Sequence, residues 1–160
     1  MRVARLLAAP PLRAASLAAT LLALAAAAPA AAALGEPLAS IQADGQRMKS
    51  AAPRIQAGSG YTLHELQDLN GVRVREYVSS AGVVFALSWS GPFKPDLQQL
   101  LGRYFGAYSS APRSTGSDRN HLALDTDALV VRAGGRQRGF FGSAWAPAIV
   151  PAGVDPAVLP

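Results

Sequence analysis

The stretch from Tyr61 to Trp89 constrains the fold more than any other part of this chain. Val72, Val74 and Val78 alternate with Arg73, Arg75 and Tyr77, and Val83, Phe85, Leu87 and Trp89 alternate with Val84, Ala86 and Ser88. Successive side chains of an extended strand point to opposite faces, so this period of two is the pattern of half-buried strands. Asn70-Gly71 separates Tyr61–Leu69 from Val72–Ser79. Both central residues of a tight type I′ turn need positive φ, which Asn and Gly tolerate best. A second turn at Ala81-Gly82 leads into Val83–Trp89, so three antiparallel strands in a hairpin meander are predicted.

Gly91-Pro92 then ends the sheet pattern, and Pro95-Asp96 opens a helix, with Asp at the positive end of the helix dipole. Leu97, Leu100, Leu101, Tyr104, Phe105 and Tyr108 form one apolar stripe, the spacing of a helix that covers a sheet face. It is expected to lie over Val74, Phe85 and Leu87. A shorter helix is expected within Leu38–Ala51, and a loop over Ala52–Gly60 with its Pro and Gly breakers. A polar loop over Ala111–Asn120 precedes short strands at His121–Asp125 and Ala128–Ala133, and Gly134-Gly135 is read as the turn into Arg136–Trp145. The fold class is therefore α+β: an antiparallel sheet of about five strands with one amphipathic helix packed on one face.

The chain begins with Arg2, Arg5 and Arg13, runs through Ala and Leu to Ala28, and passes into Ala28-Pro29-Ala30-Ala31-Ala32-Ala33 with no acid before Glu36. A basic start, an apolar centre and small residues at the exit make a secretory signal peptide, expected over residues 1–32 and cut between Ala30 and Leu34. A permanent membrane helix and a mitochondrial transit peptide are the competing readings. Residues 33–145 are then one domain, and 146–160, with Pro147, Pro151, Pro156 and Pro160, an extended proline-rich tail. Without its three leader arginines the chain keeps 12 basic and 10 acidic residues, a net charge of +2 rather than +5. So small a net charge argues against nucleic acid as a partner. There is no cysteine, hence no disulfide framework and no lipoprotein anchor; the exported domain must be held by its core.

The residues Glu76-Tyr77-Val78, Gly82-Val83-Val84-Phe85-Ala86, Trp89, Gly91-Pro92, Pro95-Asp96-Leu97 and Leu100-Leu101-Gly102 resemble those of a proteobacterial family of exported proteins, domain of unknown function 2844. Gly135-Arg136, Gly139-Phe140-Phe141-Gly142, Ala144-Trp145 and the Ala33-Leu34-Gly35 start are similar to it too. The resemblance implies export and a single domain. It carries no catalytic residues and no cofactor.

For chemistry, the only histidines are His64 and His121, neither at metal-ligand spacing, and no phosphate loop or nucleophile elbow is present. Neither a metal nor a cofactor is expected. A two-residue turn at Asn70-Gly71 would place Glu65 opposite Glu76 on the apolar face, where two carboxylates sharing a proton could act as an acid/base pair. A longer or bulged turn would instead turn Glu65 outward, and a basic partner such as Arg103 would neutralise the pair. Arg132, Arg136 and Arg138 flank Gly134-Gly135 and could cradle an anion or a partner, or simply form a solvated hairpin tip. Trp89 and Trp145, with Tyr104 and Tyr108, could line a recognition groove or pack the core.

These readings lead to a periplasmic or secreted protein with no permanent membrane span after cleavage. Its expected role is non-catalytic binding of, or assistance to, an envelope protein or glycan. The alternatives are a small envelope enzyme using Glu65 and Glu76, and a subunit of a larger secreted assembly that docks through the tail.

Overall fold

A computed structural model describes residues 34–112 and 121–159; the leader expected over 1–32 and most of the polar loop before His121 lie outside them. The described residues are α+β, with an antiparallel sheet of seven strands rather than five, in the order β1-β2-β3-β4-β7-β6-β5. The strands are β1 (Arg54–Ala57), β2 (Tyr61–Gln67), β3 (Arg73–Ser79), β4 (Val84–Gly91), β5 (Leu122–Asp125), β6 (Val130–Arg136) and β7 (Gly139–Trp145). The strand without a sequence signal is β1, which lies in the expected loop. All four of its residues are exposed, so nothing in it alternates; its pairing with β2 alone makes it a strand.

The meander forms, but with a different first turn. Gln67 pairs with Arg73, and the connection between β2 and β3 is closed by Asp68, whose backbone N–H donates to the Val72 carbonyl at 2.9 Å. Oδ1 of Asp68 also accepts from the backbone N–H groups of Asn70 and Val72, each at 2.8 Å. Three residues, Leu69-Asn70-Gly71, turn the chain, with Gly71 at φ 83°, as three-residue hairpins require at their last position. A carboxylate that satisfies two turn amides favours this longer loop over a two-residue one. The one-residue change in register sends each side chain of β2 to the other partner on β3.

A second irregularity lies in β4. Leu87 faces Glu76 and Trp89 faces Val74 as expected, but the register shifts between Tyr77 and Val78, so that Val78 pairs with Val84. This bulge puts Phe85 on the face opposite Leu87 and Trp89. The helical stripe therefore covers Val74 and Leu87 but not Phe85. Gly134-Gly135 is likewise not a turn: it lies inside β6, and Gln137-Arg138 connects Arg136 to Gly139. The requirement for Gly at 134 is space, since a Cβ there would stand 2.9 Å from both the His121 ring and the Phe141 ring.

One sheet face carries the helices. α1 (Ser40–Arg47) buries Ser40, Ile41, Asp44 and Gly45. The expected Pro95–Tyr108 helix is broken: α2 (Leu97–Leu101), a 3-10 turn at Gly102–Tyr104 and α3 (Phe105–Ser110) follow one another. Asp96 caps α2 by accepting from the Gln99 N–H, and Gly102, at φ 49°, interrupts the α-helical course. The stripe nevertheless keeps its role. Leu100 and Leu101 are buried among Leu66, Val74, Leu87, Trp89 and Val131, with Leu97, Tyr104, Phe105 and Tyr108 packed around them.

The second sheet face is half covered. The proline-rich segment adds no strand, but its 3-10 turns at Pro147–Ile149 and Pro156–Val158 bring Ile149, Val150, Val154 and Leu159 onto Leu63, Tyr77, Phe85 and Ala86. Tyr61, Tyr77 and Phe85 pack their rings there, with Tyr61 and Tyr77 edge to face at 5.5 Å. The tail covers one end of this face and leaves the other open.

Candidate functional site

The register of β2 and β3 separates the two glutamates that a two-residue turn would have paired. Glu65 pairs with Arg75 and also faces Arg54 of β1. Its carboxylate accepts from Nε of Arg75 at 2.8 Å and lies 3.6 Å from Nε of Arg73. It belongs to the tail-side face. Glu76 points the other way, toward the helices, opposite His64 and Leu87. No Glu65–Glu76 acid/base pair exists.

An acid pair does exist, with a different partner. Glu76 and Asp44 of α1 are both fully buried. Burial raises the Asp44 carboxyl to about 6, against hydrogen bonds from Gln99 and Glu76 that lower it. Burial first, and then the charge of Asp44, pushes Glu76 well above the usual carboxylate range. Oδ1 of Asp44 accepts from Nε2 of Gln99, while Oδ2 of Asp44 and both carboxyl oxygens of Glu76 are buried without a hydrogen-bond partner. Two neighbouring desolvated charges would repel strongly, and both shifts run in the direction of a retained proton. His64 stands beside Glu76 in the sheet, and burial lowers its pKa, which like the raised acids favours the neutral form. The arrangement could hold or share a proton, and both side chains are closed off from solvent beneath α1 and α2. Asp44 gave no signal in the sequence: it is one acid in a short helix, and only packing brings it to Glu76.

The open half of the tail-side face is concave. A groove of about 420 Å³ runs there between Ser88, Arg132, Phe141, Ser143, His121 and Leu159. A second hollow of about 450 Å³ adjoins it through His121 and Phe141 and reaches Arg136. Phe141 is half exposed, at 53%. Arg132 donates to the Asp125 carboxylate at 2.7 Å and to the Leu124 carbonyl at 2.9 Å, which fixes its guanidinium on the groove wall. Arg136 and Arg138 are exposed at the hairpin, and Arg138 sits at the turn itself with φ 65°.

The tryptophans do not make a common groove. Trp89 is buried in the helix-side core with Tyr104 and Tyr108 around that core, and Gly142 leaves room for it, since a Cβ there would come within 2.3 Å of the indole. Trp145 lies on the other face, with the tail residues. Trp89 is nevertheless among the residues that line the groove, with Phe141, Ser88 and Ser143, which the sequence reading did not single out as site residues; Trp145 is not.

Among the described residues no group of three or more His, Asp or Glu side chains converges as a metal site would, and no helix is long and apolar enough to cross a membrane. No curated protein and no solved structure matches the chain. The family model for protein of unknown function DUF2844 matches residues 30–159, from just before the described start through β7 and the packed tail, and the chain belongs to that family.

Proposed function

We propose that this is an exported protein, periplasmic or secreted, that acts at the cell envelope by binding rather than by catalysis. The open half of the tail-side face is its contact surface. The observation that carries this reading is the division between the two faces. The only carboxyl pair with perturbed protonation, Asp44–Glu76, is sealed beneath helices among the described residues. Solvent reaches Phe141, Arg132 and Ser143 instead, which line a groove. Binding sites are concave and place a few polar groups around an apolar surface. The leader-like order of arginines, apolar residues and small residues at the chain start supports export.

Two measurements test the proposal. The N-terminus of the protein recovered from cells is expected to begin between Ala30 and Leu34; an intact Met1 on a cytoplasmic protein would overturn export. The purified protein is expected to sediment with isolated envelope material. A Ser143→Tyr variant, which fills the groove, is expected to stay in solution with an unchanged melting temperature. Equal sedimentation of both would move the contact surface elsewhere.

A further inference from the structure

α1 is a weak helix held down by a contact that works against it. Its eight residues include Gly45, and no side chain caps its N-terminus. Glycine inside a helix is unfavourable, and so short a helix does not persist in water without packing. Just past its C-cap, Lys49 is left-handed at φ 51°, a conformation that strains a residue other than glycine. The packing comes from Ile41 in the core, from Gly45 against Leu66, and from Asp44 beside Glu76.

The chain on either side of α1 is fastened separately. Upstream, the backbone N–H groups of Leu34, Gly35 and Leu38 donate to Leu100, Val84 and Gly82, and Val84 donates back to Glu36. Downstream, the Ser50 hydroxyl oxygen accepts from the Gln67 N–H at 3.0 Å. Residues 39–49 can therefore leave the sheet without freeing either anchor.

Of the contacts that hold α1, the one between Asp44 and Glu76 depends on pH. Oδ2 of Asp44 and both carboxyl oxygens of Glu76 are buried with no hydrogen-bond partner among the described residues. The neighbouring elements supply no counter-charge inside. Arg47 of α1 is exposed, Asp96 ahead of α2 adds a further negative charge, and Gln99 of α2 is engaged by Oδ1 of Asp44. His64 of β2, beside Glu76, is held toward its neutral form by burial. Protonated, the pair is close to neutral; ionised, it becomes two buried like charges, which solvent would stabilise far better.

We infer that α1 is a pH-operated clasp, closed on the sheet while the Asp44–Glu76 pair keeps its protons and released between its two anchors, with the sheet still folded, once the pair ionises. Release bares Glu76 and the Leu66 side chain on the face where β1 already exposes Ile55. Both acids bind protons more tightly in the closed form than at their ordinary values of 3.8 and 4.5. Closure is therefore strongest below those values and fades as pH rises through about 6 for Asp44 and higher for Glu76.

Amide hydrogen exchange on the purified protein tests the clasp, with each peptide referred to the same peptide from unfolded protein. Between pH 5 and pH 8 the peptide covering α1 is expected to lose protection by about tenfold or more. At pH 8 the β6 and β7 peptides should stay better protected than α1 by about tenfold or more, and only theirs should weaken in dilute urea, because a local opening exposes little surface. A double Asp44→Asn, Glu76→Gln variant is expected to protect α1 equally at the two pH values. Gly45→Ala, which strengthens the helix without changing a charge, should raise α1 protection by about two- to fivefold at both and keep the pH loss. If circular dichroism shows that the double variant does not fold, Glu76→Gln replaces it and should lose less protection than the parent. Equal protection and equal urea dependence in α1 and in β6 and β7 would mean that the molecule opens only as a whole, which overturns the clasp. So would an α1 protection that does not change with pH, or one that falls as steeply without the two acids.

Discussion

Glu65 and Glu76 are alike in the sequence and opposite in the structure, and their conservative substitutions are expected to behave oppositely. Glu65→Gln removes the one carboxylate among Arg54, Arg73 and Arg75 and should cost about 1–3 kcal/mol. Glu76→Gln keeps the shape and removes a buried acid whose charge is opposed by burial and by Asp44, so stability at neutral pH should hold level or rise. The pH dependence has a defined sign. Asp44 and Glu76 titrate higher in the folded protein than their ordinary values of 3.8 and 4.5. The folded state therefore binds the extra protons. The stability they supply is complete below those ordinary values and drains away as pH rises through about 6 for Asp44 and higher for Glu76. For Asp44 the loss is on the order of 3 kcal/mol. Melting temperatures measured from pH 4 to 8 should fall for the parent, and much less for a double Asp44→Asn, Glu76→Gln variant. A parent that is steadily more stable toward pH 8 would show that the pair is not held as described.

At the scale of elements, the position of one loop closure decides which face each side chain takes. Asp68 closes the β2–β3 connection with two side-chain acceptances from backbone amides. Asp68→Ala should lower the denaturant midpoint by an amount worth about 1–2 kcal/mol, more than Asn70→Ala, whose side chain holds nothing but Asp68. The broken helix gives a second comparison. Leu101 is fully buried against the sheet, so Leu101→Ala should cost about 2–5 kcal/mol, whereas Gln98→Ala on the exposed side should change little. Equal thermal shifts would place the stripe wrongly. The stripe from Leu97 to Tyr108 was legible because its apolar spacing survives a 3-10 interruption. The turn was legible only as a turn: Asn70-Gly71 marks where the chain reverses, while the residue count of the loop depends on what Asp68 does with its carboxylate.

At the scale of the molecule, the tail is part of the fold. Ile149, Val150, Val154 and Leu159 cover Tyr61, Tyr77 and Phe85. Each such side chain contributes about 1.5–3 kcal/mol when fully buried, and these are partly buried. Ending the chain after Ala146 should therefore remove about 5 kcal/mol, a large share of an ordinary domain's stability. Circular dichroism should show a melting transition far below that of the whole chain; an unchanged transition would mean that the tail rests on the sheet without holding it. The same tail bounds the open half of that face, because Leu159 forms a wall of the groove. Strand order contributes equally: by placing β7 between β4 and β6, it lines up Ser88, Ser143 and Arg132, which are far apart in the chain.

Local patterns determined much by themselves. Alternation in β3 and β4, the apolar stripe over Leu97–Tyr108 and the capping Asp96 each express chemistry within a few residues, and α+β architecture follows from them. Register, strand order and the bulge at Phe85 were decided only by tertiary structure, because each depends on contacts between distant segments. A single-residue change in a loop inverts a strand's two faces without altering its alternation. That is why the sequence could nominate Glu76 as a buried acid and yet choose Glu65 for its partner: Asp44 reaches it from a helix over thirty residues earlier, through packing that no spacing encodes.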